Sequence, residues 1–257
     1  MKEMVKEAHM TGKDLMGMVQ LTPEAVGKYA IVPGPRERAD AIVKRITNPV
    51  KNFSFMEYTM HTGDYKGIKL TTINGGRFAP DTSITTEILC NAQIKGLIRV
   101  GSCGAMRADM KVGDIIVVDT AIKGDGVTKY YVNDDFVPKA DPHLSKILTN
   151  IAKNSLQANG LVGNTVHVGP CWTTDAILRE TREHVSKAVS QGAIAVDMVT
   201  SALLTICNLY KIPAAVILAV SDNVITGEMG FMNPDYYMAE GAIINIALDA
   251  IMELEKK

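Results

Sequence analysis

The stretch Leu97-Ile98-Arg99-Val100-Gly101-Ser102-Cys103-Gly104 is an apolar, partly β-branched run that carries one arginine and ends in a glycine-flanked turn. Its part Leu97–Gly101, bounded by breakers, reads as a strand buried on both faces, the sort found in sheets covered by helices. Six further short runs have the same character: Tyr29–Val32, Leu70–Ile73, Ile115–Asp119, Thr165–Val168, Ala193–Val196 and Ala214–Val220. Between and after them, Pro35–Ile46, Thr82–Lys95, Pro142–Gln157, Arg179–Ser190, Met198–Tyr210 and Tyr237–Glu255 place apolar residues three and four apart, the mark of helices with one buried face. In the last of these Ile243, Ala247, Leu248, Ile251 and Leu254 share a face. Strands alternating with helices predict an α/β protein with helices on both sides of a mainly parallel or mixed sheet. No repeat, low-complexity tract or flexible linker divides the 257 residues. The chain therefore reads as one domain over 1–257, with 1–20 as an amino-terminal extension. Lys123–Asp141 is a long excursion, expected at a pocket rim or a subunit contact.

Composition narrows the function. Hydrophobic residues make up 47% and charged residues 21%, which excludes disorder and coiled coil. Lys and Arg number 27 against 28 Asp and Glu, so no global charge draws the chain to nucleic acid or an anionic membrane. A basic stripe with interleaved aromatics is also absent, and any anion must be captured locally. Cys90, Cys103, Cys171 and Cys207 form no C-x-x-C pair, which points to reduced thiols and a cytoplasmic protein. The strongest apolar run, Ala214–Val220, falls far short of the ~20 residues that span a bilayer. The five histidines, His9, His61, His143, His167 and His184, lack metal-ligand spacing, so no metal is expected.

Three segments can carry chemistry. In Val32-Pro33-Gly34-Pro35-Arg36-Glu37-Arg38 a strand runs through a glycine turn into a helix with Pro35 near its first position. Free amides at the helix start, with Arg36 or Arg38, can hold an anion, but taken alone the segment fits an ordinary turn with solvated arginines better. Arg99 lies inside an apolar strand, and burying an unpaired charge costs several kcal/mol, so it meets either a structural carboxylate or an anionic ligand. Ala214–Val220 delivers Ser221-Asp222-Asn223 at a strand end, where open α/β sheets place ligand chemistry. Asp222 there serves as a general acid, as a hydrogen-bond acceptor, or in a simple Asx turn. Neither the turn at Gly101–Gly104 nor Gly75-Gly76 matches the dinucleotide fingerprint, so no Rossmann cofactor is expected. Cys103 has no recognisable base beside it and reads as a small packing residue. Trp172, after the Thr165–Val168 strand, lines a pocket or closes the core.

Taken in order, VPGPRER (32–38), NGGRFAPDTS (74–83), RVGSCGAM (99–106), VGDIIVVDTAI (112–122), TTDA (173–176), AVDM (195–198) and VSDNVITGE (220–228) resemble the nucleoside phosphorylase family that includes bacterial purine nucleoside phosphorylase and uridine phosphorylase. The resemblance runs from about Leu21 to the carboxyl terminus. It implies an α/β three-layer sandwich around a central mixed, barrel-like sheet flanked by helices. It also implies a homo-oligomer, a dimer or a hexamer of dimers, that needs no cofactor and uses inorganic phosphate as co-substrate to cleave a nucleoside. By resemblance, Gly34, Arg38, Arg99 and Ser102 hold phosphate and aim one oxygen at the anomeric carbon, where a nearby anion stabilises a sugar cation-like transition state. The same resemblance implies that Asp222 is the catalytic residue that assists departure of the base. Cys103, Gly104, Ile177, Asp197, Met198, Val199 and Ser221 complete the base and sugar site, Met198 against the ribose and Ile177 where an aromatic usually contacts the base. Ser221-Asp222 resembles the purine enzymes, and the Gln and Arg that read uracil have no counterparts across Asp175–Glu183.

Several positions depart from the family pattern. Val199 stands where a glutamate grips ribose hydroxyls. Met56 replaces an arginine lent to the neighbouring subunit, and Met18 aligns near an intersubunit histidine unless His9 takes that role. Asp235 lies near the spacing of an arginine that supports the catalytic aspartate, and Phe78 and Ala79 replace glycines. These changes predict an altered or more apolar sugar, such as a deoxy sugar. The alternatives are a nucleosidase of the same fold using water, against which Arg38 and Arg99 argue, and a non-catalytic nucleoside-binding or storage protein.

Overall fold

The computed structural model describes residues 9–256. In chain order it contains α1 (Gly12–Met18), β1 (Tyr29–Pro33), α2 (Arg36–Val43), β2 (Thr47–Phe55), β3 (Tyr58–Tyr65), β4 (Ile68–Ile73), α3 (Ala79–Asn91), β5 (Gly96–Ala105) and β6 (Ile115–Gly124). There follow α4 (Pro142–Ser155), β7 (Val166–Thr174), α5 (Arg182–Ser190), β8 (Ala195–Asp197), α6 (Thr200–Tyr210), β9 (Ala214–Asn223) and α7 (Pro234–Glu255). Helix starts follow local chemistry. Asp141 accepts from the Leu144 amide at 2.8 Å ahead of Pro142, and Asn233 caps α7 ahead of Pro234 in the same way.

The strands form one mixed sheet in the order β2-β3-β4-β1-β5-β8-β7-β6-β9, and β9 returns to pair with β5. Five strands, β5, β8, β7, β6 and β9, thus close into a barrel-like sheet flanked by helices, as expected. Closure removes free edges from this part of the sheet. Side chains along β9 alternate between two cores. In β9, Ala214, Val216, Leu218 and Val220 join α1, α3 and α6, whereas Ala215, Ile217 and Ala219 join α2, α4 and α7. Because β1, β5 and β9 run parallel, their carboxyl ends emerge on one side of the sheet and bring together Gly34, Ser102 and Ser221-Asp222.

All seven expected strands and six expected helices form, with β5, β6, β7 and β9 longer than their apolar runs. Three further elements were not evident from the pattern. The β2–β3 hairpin exposes nearly all of β2 and carries Pro49 and two register shifts, so its residues show no apolar alternation. Helix α1 lies within the expected extension, but Met16 belongs to the core; residues 1–8 lie outside the described residues. The excursion at 123–141 begins as the end of β6 and turns through a short 3-10 helix at Thr128–Tyr130. It is anchored by the Ser201 hydroxyl donating to Asp125 and by the Gly126 amide donating to Asp175 at 2.7 Å, and it does not line the cleft described below.

Candidate active site

A cleft opens over the carboxyl ends of β1, β5 and β9. At one end lie two arginines, Arg38 from α2 and Arg99 from β5, only 7% and 4% exposed. Each has a carboxylate partner, which is the first of the two readings of Arg99. Arg99 Nη2 meets Asp197 Oδ2 at 3.5 Å, and Arg38 Nη2 pairs closely with Glu240 while its Nη1 donates to the Val100 carbonyl at 3.3 Å. Three guanidinium nitrogens remain without a partner among the described residues: Arg38 Nε, Arg99 Nε and Arg99 Nη1. Burial lowers the Arg99 pKa, Asp197 opposes that shift, and the positive charge of nearby Arg38 adds to it. Two like charges held close, dry and only partly satisfied make a receptor for an anion.

Glycine makes that arrangement possible. A Cβ on Gly101 would stand 2.7 Å from Arg99 Nη2, and one on Gly76 would stand 3.0 Å from Arg99 Nη1. The guanidinium therefore lies between two backbone segments that accept no side chain there.

Asp197 lines the cleft, but its oxygens are used within the protein. They accept from the Thr173 hydroxyl at 3.0 Å, the Val199 amide at 3.1 Å, the Thr200 amide at 3.1 Å and the Thr200 hydroxyl at 2.7 Å. Asp197 thereby caps the start of α6 and anchors Arg99. Val199 requires a correction. It does not line the cleft; it is 1% exposed at the N-cap of α6, where the turn made by the Asp197 cap directs it into the protein. His9, Met18 and Met56 are exposed and line no part of this cleft.

The other end is built by a bulge. Between Cys103↔Val220 and Gly104↔Asp222 the β5–β9 register shifts, and the extra residue is Ser221. The bulge turns both Ser221 and Asp222 into the cleft, and bulges commonly re-aim side chains in this way. The Ser221 hydroxyl lies 2.6 Å from Asp222 Oδ1 and 3.1 Å from the Cys103 carbonyl. Gly34, Ser102, Cys103, Gly104, Ile177 and Met198 also line the cleft, Ile177 being 58% exposed. Burial raises the Cys103 thiol well above its ordinary range, so it is no ready nucleophile. Trp172 packs with Met106, Val185 and Val196 rather than lining the cleft.

The residue-by-residue reading missed three groups. Glu240 holds Arg38, and Tyr236 one turn earlier donates to Glu240 Oε1 at 2.8 Å and meets the Ser102 hydroxyl. Burial, with help from Glu240, pushes the Tyr236 phenol up to about 12. A signal existed, because Glu240 shares the helical face of Ala247 and Ile251, and a charge on a buried stripe requires a partner. The third group is Glu180, which lines the cleft beside Asp222.

The family model for the phosphorylase superfamily matches residues 28–241. The chain belongs to the nucleoside phosphorylase family. Among its relatives, DeoD-type purine nucleoside phosphorylases of Bacillus cereus and Bacillus thuringiensis are each 31% identical over 231 residues, covering 89% of this chain and 95% of the relative. A crystal structure of uridine phosphorylase from Vibrio fischeri, complexed with 6-hydroxy-1-naphthoic acid, superposes with a TM-score of 0.81 at 25% identity, covering 93% of this chain and 99% of that one. A second structure of the Vibrio fischeri uridine phosphorylase gives 0.80 at 26% identity, covering 91% and 96%. Among the described residues of this family member, no group of three or more His, Cys, Asp or Glu is placed to hold a metal ion. No helix among them is long and apolar enough to cross a membrane.

Proposed function

We propose that the cleft cleaves the glycosidic bond of a nucleoside with inorganic phosphate, purine favoured, giving free base and sugar 1-phosphate. One observation carries this reading: two buried guanidiniums with unpartnered nitrogens share a cleft with Asp222. Gly34, Arg38, Arg99 and Ser102 hold the phosphate. Its charge, fixed beneath the sugar, stabilises positive charge as it develops at the anomeric carbon. Asp222 assists the base as it leaves, and Ile177 and Met198 supply apolar contact to base and sugar. A buried anion receptor gives a water-using nucleosidase no advantage, which favours phosphate as the nucleophile. The purine-named relatives and the Ser221-Asp222 pair support a purine over uracil.

The turn at Asp197–Thr200 supplies no free carboxylate to the sugar, because Asp197 is used internally and Val199 is buried. This supports an altered sugar. The test is product analysis with inosine and 2'-deoxyinosine. Base release is expected to require phosphate and to yield sugar 1-phosphate, with the deoxynucleoside preferred. Release without phosphate, yielding free sugar, would replace this reading with a nucleosidase.

A further inference from the structure

Arg77 is a third arginine of the cleft, used neither by the phosphate receptor nor by the base end. It follows Gly76, whose backbone packs against the Arg99 guanidinium, a Cβ there standing 3.0 Å from Arg99 Nη1. One residue on, the chain leaves this buried floor, and the Arg77 side chain is 55% exposed at the rim on the anion side. Its guanidinium carbon lies 4.9 Å from the centre of the Phe78 ring, and Phe78 also lines the cleft. Its one ion-pair partner among the described residues is Glu57, between β2 and β3, at 3.7 Å and 74% exposed. So open a pair contributes little and yields readily to a better anion. The carboxyl groups of the cleft lie elsewhere: Glu180 and Asp222 are at the base end, and Asp197 is committed to Arg99 and α6. An anionic group on a bound nucleoside is therefore drawn to the Arg77 side and turned away from the base side. The stereochemistry of the sugar says which group that is. With the base against Asp222 and the anomeric carbon over Arg38 and Arg99, the ring carbon that bears C5' lies across the ring oxygen from the base. A substituent on C5' thus points away from the base end, toward the rim at Arg77.

Resting on the phosphorylase reading above, we propose that Arg77 is a specificity-determining residue that binds a phosphate group on C5', so that the substrate class of this cleft is a purine nucleoside 5'-monophosphate. A guanidinium held on an aromatic face presents its N–H edge to phosphate oxygens. The chemistry at the reaction centre is unchanged. The glycosidic electron pair leaves with the base nitrogen, an oxygen of inorganic phosphate bonds to the anomeric carbon, and the proton of hydrogen phosphate ends on the base. The products are free base and a sugar carrying phosphate at both carbons 1 and 5, the second of these being neither made nor broken. The rest of the sugar site calls for such a handle. Because Asp197 is used internally and Val199 is buried, the sugar hydroxyls find no free carboxylate at that turn, and a charged group on C5' supplies the orientation they do not.

The test compares phosphate-dependent base release from 2'-deoxyinosine and 2'-deoxyinosine 5'-monophosphate by the wild type, Arg77→Gln and Glu57→Gln. The wild type is expected to favour the nucleotide by roughly tenfold in kcat/KM, mostly through KM, as one partly exposed charge-assisted hydrogen bond allows. Arg77→Gln is expected to bring that ratio to about one, whereas Glu57→Gln, which frees the guanidinium, raises it, and added salt lowers it in the wild type. A wild type that does not prefer the nucleotide overturns the proposal. So does an equal loss on both compounds in Arg77→Gln, which would assign the residue to the fold or to the co-substrate. Calorimetry separates the two anion positions. Nucleotide binding is expected to persist at saturating inorganic phosphate; displacement by phosphate would put the 5'-phosphate on Arg38 and Arg99 and overturn the proposal. If base is released from neither compound with phosphate, the phosphorylase reading fails by itself, and the C5' site is judged on binding alone. Tighter binding of the nucleotide than of the nucleoside, lost in Arg77→Gln, then upholds it, and equal binding overturns it.

Discussion

The two ends of the cleft are built by opposite means. The anion end is made from buried charge: Arg38 and Arg99 are nearly inaccessible and partly balanced by Glu240 and Asp197, and Arg99 is flanked by Gly76 and Gly101. The base end is half-open, with a bulge turning Ser221 and Asp222 inward and an exposed Ile177 beside Glu180 on a short connecting segment. On the proposed function, rigid strands and ion pairs define where phosphate would sit, whereas adaptable surface would define which base and sugar are accepted. Variation in such surface alters specificity without disturbing the charged floor.

The largest blow to this contrast is loss of the buried arginine. Arg99→Met removes two potential charge-assisted hydrogen bonds, each worth about 1.5–3 kcal/mol, so kcat/KM for phosphate is expected to fall between roughly 10² and 10⁴-fold in steady-state assays. A smaller but sharper effect is expected of Gly101→Ala. The added methyl displaces the Arg99 guanidinium, raising the phosphate KM by about tenfold while thermal unfolding shifts little, because the clashing atoms, Arg99 and Leu218, are side-chain ends. Glu240→Gln tests the balance of charge from the other side. Removing this carboxylate leaves Arg38 short of a counter-charge, so unliganded protein is expected to melt earlier and phosphate to restore more stability than it does in the wild type. Calorimetric titration should then give phosphate a few-fold tighter binding, by about 1 kcal/mol or less for a pair whose carboxylate is 26% exposed.

The smallest expected effect lies at the base end. Because the folded value of Glu180 lies above its ordinary 4.5, ionising it opposes folding. That cost is absent below the unfolded value, grows as pH rises, and is fully present above about 7. Glu180→Gln is therefore expected to raise Tm by about 2 °C at pH 8 and to leave it unchanged at pH 4, measured by thermal scans. A gain at pH 4 would show that burial of this group is not what costs stability.

The same contrast explains what was legible in the sequence. Strands such as Ala214–Val220 announce themselves because both faces are buried, and Arg99 stands out because a charge inside such a strand requires a partner. The β2–β3 hairpin stays hidden, since an exposed edge has no reason to be apolar. Glu240 obeyed the rule that exposed Arg99, on a helical rather than a strand face. Glu180 had no local signal at all: its environment comes from Asp222, distant in the chain, and from the course of a loop. Val199 misled for a related reason, because family spacing places a residue along the chain but does not determine which way its side chain turns.

The central claim is that two buried guanidiniums share one phosphate beside the base. A crystal structure of the protein with phosphate and hypoxanthine tests it most directly. Phosphate oxygens are expected within hydrogen-bond distance of Arg99 Nε, Arg99 Nη1 and Arg38 Nε, with the base against Ile177 and Asp222. Phosphate bound elsewhere, or both guanidiniums turned wholly to Glu240 and Asp197 with no oxygen reaching those nitrogens, would contradict it.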